Sequence, residues 1–330
     1  MAEHGAQPAV EPAPVRAPLP YHLVHRGGRR GSWRPVVGVL GLGLAFLVVI
    51  PVIVQLPFAL GLALAGRDVV DGVDRLLDLD DPTPLGLAYL NVVLACAIPV
   101  AWLLTRALHG LRPGWLASVR PRLRWGWFLA CFGLSVAALL ATLVVSAVVP
   151  SQGEGTEISG QLNDFTSTTR DFLIVVVLLT PLQAAGEEYA FRGYLTQAFG
   201  GLFGRAWAAV LFPALLFALA HGAQSAPVFF DRFAFGLVAG LLVVLTGGLE
   251  AGIAMHVLNN WLAFGLALAF GDMASTLNPT GDSWWSIPVT LTQSLVYLAL
   301  VMLLARRLGL RSTTETPAGP GELVAPRGRV

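Results

Sequence analysis

Between Val36 and Ala65 the chain carries no charged side chain at all. A helix of about 20 apolar residues crosses the roughly 30 Å hydrocarbon layer of a bilayer, so this run is long enough to span with tilt. It does not stand alone. Comparable apolar runs follow at about Pro84–Thr105, Gly126–Val149, Phe172–Leu195, Ala206–His221, Phe233–Thr246, Ala251–Gly271 and Ser286–Ala305. The expected fold class is therefore all-α, a polytopic membrane helix bundle of about eight transmembrane helices. Composition removes the other classes. Of 330 residues 55% are hydrophobic and only 12% charged, about half the charge of a soluble domain. A soluble globular enzyme and a disordered chain are excluded. A net charge of +1 gives no field to hold a polyanion, so no nucleic-acid partner is expected. Cys96 and Cys131 lie inside apolar runs without metal-knuckle spacing and read as small core residues.

The charges that do occur organise the chain. All 21 basic residues are arginine. They cluster before the first span (Arg16, Arg26, Arg29, Arg30, Arg34), between the second and third (Arg106, Arg112, Arg120, Arg122, Arg124) and after the last (Arg306, Arg307, Arg311). The alternate loops are acidic, with Asp68, Asp71, Asp74, Asp78, Asp80 and Asp81 in the first and Glu154, Glu157 and Asp164 in the third. The positive-inside rule then puts both termini in the cytoplasm of a multi-pass cell-membrane protein. The Pro-, Ala- and Arg-rich residues 1–35 are expected to form a disordered cytoplasmic tail, 36–165 an N-terminal three-helix membrane region, 166–305 a second membrane region, and 306–330 another disordered cytoplasmic tail.

An ionisable group at bilayer depth costs roughly 2.5–3.5 kcal/mol on insertion scales and is functional by default. The first three spans contain almost none. The fourth carries Glu187, Glu188 and Arg192, the fifth ends in Phe217 to His221, and the seventh holds His256, Asn259 and Asn260. Glu188 and Arg192 are four apart and share a helical face, whereas Glu187 lies about 100° around the helix from Glu188 and is free to point elsewhere. His256 and Asn260 share a face in the same way. Depth poses a difficulty, because Glu187 and His221 enter from opposite surfaces. The gap largely closes if the fourth helix runs on to Phe199 and turns back at Gly200-Gly201.

In this order and spacing, the residues resemble the CaaX prenyl endopeptidase and bacteriocin-processing (CPBP) intramembrane proteases, which include the type II CaaX proteases. Their pattern of EExxxR, FxxxH and HxxxN on successive membrane helices is matched by Glu187-Glu188 with Arg192, Phe217 with His221, and His256 with Asn260. Phe191-Arg192-Gly193, Phe235-Gly236-Leu237 with Gly240, and Thr246-Gly247-Gly248-Leu249 match as context. The resemblance covers about residues 165–270 and makes 166–305 a CPBP-like catalytic membrane core.

The resemblance implies an intramembrane glutamic-type endopeptidase. In it Glu187 acts with His221 to activate water, His256 and Asn260 stabilise the oxyanion, and Glu188 with Arg192 locks the fourth helix, with Glu188 sharing in catalysis. The substrate implied is a membrane-embedded or lipidated peptide or protein. No cofactor is expected. The alternative mechanism is a zinc metalloprotease with Glu187, His221 and His256 as Zn2+ ligands, a sensible open site, although no HExxH is present. A reading from another class makes the same buried Glu/His/Arg cluster a proton or partner site in a transporter or membrane scaffold. For Glu188–Arg192 a structural ion pair holding helices in register is as good a reading as a catalytic one.

Overall fold

The computed structural model describes residues 17–147, 161–222, 225–278 and 284–315. Glu154 and Glu157, the outermost parts of both tails (1–16 and 316–330) and the outer end of the third span lie outside the described residues. Those that are described form helices joined by short connections, with isolated bridges at Pro20–Thr313 and Ser118–Gly248 as the only β pairing among them.

The apolar runs fold as the hydrophobic argument requires. Helix α1 (Trp33–Leu64), α3 (Pro84–His109), α4 (Trp125–Ser146), α8 (Ala226–Thr246), α9 (Glu250–Phe270) and α11 (Ser286–Arg307) are long and apolar enough to cross a membrane. Between α1 and α3 lies the amphipathic α2 (Val69–Leu77), started by the Asp68 carboxylate, which accepts from the Val70 and Asp71 backbone N–H groups. Helices α5 (Ser167–Leu178) and α6 (Thr180–Phe203) are together long and apolar enough for a seventh span, bent by 41° where Pro181 opens the second helix. The eighth apolar helix, α7 (Ala206–Ala220), is only 15 residues long. A short helix α10 (Met273–Leu277) follows α9. The count of about eight agrees with six long apolar helices, one bent pair and this short one.

Lipid-facing residues such as Leu40, Leu44, Leu47 and Leu64 on α1 remain exposed. The core forms where α6, α8, α9, α4 and α11 meet, around Tyr194, Leu242, Leu249, Met255 and Tyr297.

Charge sorts to the two ends of the bundle. Arg26 donates to the Gly201 carbonyl, Arg29 to Ala107 and Arg34 to Leu108, while Arg124 reaches both Glu250 and the Arg311 carbonyl. The two described chain ends meet at this same end, where Thr314 N–H donates to Leu19 O. At the opposite end Asn278 donates to Asp80, and Asn163 to the Leu268 and Gly271 carbonyls.

Two expectations change. The chain is not loose up to residue 35: Tyr21–Gly27 form a 3-10 turn whose Tyr21, Val24 and His25 are buried. The Tyr21 hydroxyl donates to the Leu116 carbonyl, and His25 stacks on His109 with centroids 3.8 Å apart. Nor is it loose directly after residue 306, because the Ser312–Glu315 segment is tied to the N-terminal one through Thr314. Aromatic and imidazole rings in a Pro- and Arg-rich stretch supply the apolar area that the compositional reading overlooked.

Candidate active site

The turn that brings the site together comes later than Gly200-Gly201. Helix α6 continues to Phe203, and Gly204 at φ 68° makes the left-handed cap from which α7 returns. Gly200 is helical. The antiparallel return removes the depth gap, and Glu187 and His221 line one cavity of ≈ 330 Å³.

Local backbone shape explains why both carboxylates matter. Glu188 to Leu195 form a π-helical segment within α6, as Ala45–Val49 do in α1 and Thr105–His109 in α3; such widened turns are frequent at functional sites. Glu187 does not point away from Glu188, as α-helical spacing suggested. The two carboxylates approach opposite nitrogens of one imidazole: His256 Nε2 is 3.3 Å from Glu187 Oε2, and His256 Nδ1 is 3.0 Å from Glu188 Oε1. Glu188 Oε1 is also 3.1 Å from Arg192 Nη1, with side-chain exposures of 0% and 1%. The Arg192 Cζ lies over the Phe217 ring at 4.1 Å and over that of Phe235 at 5.5 Å, placements that favour the cation. Glycine permits these approaches. A Cβ on Gly252 of α9 would sit 2.6 Å from Glu188 Oε2, and one on Gly186 would collide with the Leu94 carbonyl of α3.

The Nδ1–Glu188 contact is a hydrogen bond, whereas Nε2 approaches Glu187 at ion-pair distance. His221 is set differently. Its Nδ1 donates to the Phe217 carbonyl at 2.8 Å, which leaves Nε2 as the acceptor of a neutral ring. Asn260 donates through Nδ2 to Gln183 Oε1 at 2.8 Å, keeping its second N–H available. All four of Glu187, His221, His256 and Asn260 line the cavity; Glu188 and Arg192 sit behind it. Among the described residues no group of three or more His, Cys, Asp or Glu side chains is placed to hold a metal ion; Glu187, His221 and His256 all line the cavity.

Three cavity residues escaped the sequence reading. Gln183 stands one helical turn before Glu187, on the same face, and could have been found by that spacing. Asn91 on α3, within 3.5 Å of Thr180 Oγ1, is a polar group in the middle of an apolar span. Arg232 lies near the start of α8, in a stretch the apolar-run boundary at Phe233 cut off. Together with Phe46 of α1, Asn91 shows that the N-terminal spans contribute walls to the site.

Comparison with known proteins agrees with the motifs. Residues 169–262 match the family described as type II CAAX prenyl endopeptidase Rce1-like, a segment that contains all six predicted site residues. A protein of Bacillus subtilis (strain 168), named "Uncharacterized protein YyaK", is 27% identical over 249 residues, covering 68% of this chain and 79% of its own. No solved structure matches. The resemblance to CaaX-type proteases is borne out, and the match reaches well beyond the three motifs.

Proposed function

We propose that this multi-pass membrane protein, similar over residues 169–262 to the Rce1-like CAAX prenyl endopeptidases, is an intramembrane endopeptidase of the glutamic type. It hydrolyses a peptide bond of a membrane-embedded or lipidated substrate and needs no metal. Its termini and Arg-rich end face the cytoplasm. The observation that carries the reading is the contact between Glu187 and His256 in the wall of a cavity that His221 and Asn260 also line.

Glu187 takes a proton from a water held between it and the free Nε2 of His221, and the resulting hydroxide adds to the scissile carbonyl carbon. The second Asn260 N–H donates to the oxygen that becomes negative. The proton taken by Glu187 passes to the amide nitrogen as the C–N bond breaks, leaving a carboxylic acid and an amine; the acid then gives its proton to the now ionised Glu187 or to the amine. His256 is held through Nδ1 by Glu188, which sets its Nε2 beside Glu187 at the wall of the cavity. Glu188 and Arg192 position His256. An isolated carboxylate pair in hydrocarbon would be prohibitive, and Arg192 offsets it.

The test is cleavage of a membrane-peptide library by reconstituted wild type and Glu187→Gln, each with and without a chelator. Wild-type cleavage that ignores the chelator and is lost in Glu187→Gln is expected. Equal activity in the two proteins would end the glutamic reading, and loss on chelation would restore a metal mechanism. Cleavage by neither would favour a transporter or scaffold use of the cluster.

A further inference from the structure

Among the described residues Arg232 is the one guanidinium lining the cavity, and its buried Nε has no hydrogen-bond partner. Its polar contact is with the adjacent Asp231, from Nη1 to Oδ2 at 3.4 Å. Successive residues on a helix diverge by about 100°, so neighbours make poor partners, and this contact is long for a charge-assisted bond. Arg232 Nε and Asp231 Oδ1 are both shut from solvent without a hydrogen-bond partner. The Arg232 side chain as a whole is 36% exposed, so its head is neither sealed in the core nor free in water. Unlike Arg192, which is shut in behind the cavity, Arg232 combines an unpartnered Nε with a head that reaches the cavity.

The ligand's chemistry follows from the surroundings. The other fixed charges of the site are already balanced, Glu188 by Arg192 and Glu187 by its contact with His256. Glu187, His221 and Arg232 line the same cavity, so a group bound at Arg232 lies in the space where the water is activated. A guanidinium presents a planar fork that matches a carboxylate through two parallel N–H···O bonds. A cavity of ≈ 330 Å³ holds only a short stretch of peptide, so the group that reaches Arg232 belongs to a residue close to the cleaved bond.

Resting on the endopeptidase reading above, we propose that Arg232 is a specificity-determining residue that binds a carboxylate of the substrate beside the scissile peptide. The carboxylate is either an acidic side chain or the substrate's own C-terminus. Asp231 holds the guanidinium until that group displaces it.

The experiment uses the full chain in vesicles and pairs of peptides that differ only in this charge: a free C-terminal carboxylate against a carboxamide, and Glu against Gln next to the cleavage site. The readout is the ratio of kcat/KM within each pair. A charge-assisted bond of about 1.5–3 kcal/mol corresponds to a ratio on the order of 10- to 100-fold for wild type. The pair that shows it identifies the source of the carboxylate. Arg232→Gln brings the ratio to about one, Arg232→Lys keeps part of it, and Asp231→Asn, which removes the competing carboxylate, raises it. A wild-type ratio near one in both pairs, or a ratio unchanged in Arg232→Gln, overturns the proposal. Binding of the same peptides, fluorescently labelled, to the Glu187→Gln protein with and without Arg232→Gln separates the two readings. If no peptide is cleaved but the binding ratio depends on Arg232, hydrolysis fails and the anion site stands. If cleavage depends on Glu187 but neither cleavage nor binding distinguishes the pairs, hydrolysis stands and the anion site fails.

Discussion

Removing Arg192 should expose how much the site depends on charge compensation. Its side chain is 1% exposed and that of Glu188 is 0% exposed, with 3.1 Å between Nη1 and Oε1. Arg192→Met keeps much of the apolar stem against Phe217 and leaves Glu188 facing His256 alone. Breaking one side of a fully buried pair typically costs about 3–5 kcal/mol, because the remaining charge has lost its compensation. Glu188→Gln strands the guanidinium instead and falls in the same range of about 3–5 kcal/mol. The double variant Glu188→Gln/Arg192→Met removes both charges, so its loss should be smaller than the sum of the two. Coupling of about 2–3 kcal/mol is expected for contacting residues in one network. Equilibrium unfolding in mixed micelles measures all three. Single-variant losses below about 1 kcal/mol, or a double variant equal to the sum, would refute the view that Arg192 neutralises Glu188.

Gly186→Val should separate α3 from α6, since even a Cβ collides with the Leu94 carbonyl; lowered thermal stability together with lost cleavage is the expected outcome. Gln183→Leu removes the acceptor of Asn260 Nδ2 and should lower kcat by about tenfold with little change in KM, as loss of a positioning bond does; a change confined to KM would contradict it. Burial, and next the proximity of His109, push the His25 imidazole well below its usual 6.5. The folded state then binds fewer protons than the unfolded one, so the contribution is complete above about pH 6.5 and is lost as pH falls from there toward the lowered folded value. Tyr194, 5.1 Å away edge-on, and Arg26 on the same turn offer no carboxylate to offset the charge. A His25→Phe variant should show a flatter stability profile between pH 6.5 and 5 in unfolding scans.

The helical class, the approximate span number and the clustering of ionisable groups around one cavity were legible because each rests on a local pattern: long uncharged runs, and polar groups that stand out against them. What was not legible depends on tertiary packing. Spacing on an ideal helix sends Glu187 and Glu188 in different directions, but the π segment over Glu188–Leu195 and the arrival of His256 from α9 bring both onto one ring. Gln183 and Asn91 are uncharged, so a search for ionisable groups passed them by. Arg232 fell outside the apolar run that begins at Phe233 because the charges at Asp231 and Arg232 interrupt hydropathy, although α8 begins at Ala226. Tyr21 and His25 belong to a stretch whose average composition is that of a tail, and only the packing against Leu116 and His109 makes them core.

The central claim is that this cavity adds water to a peptide bond under control of Glu187. The most direct measurement is single-turnover cleavage of a membrane peptide by the reconstituted protein in H2 18O, with mass spectrometry of the new C-terminus. One 18O in the product carboxylate is expected for wild type in the presence of a chelator, with the rate falling at least about 1,000-fold in Glu187→Gln. A wild-type protein that releases no product, or a Glu187→Gln protein that incorporates 18O at the wild-type rate, would contradict the account.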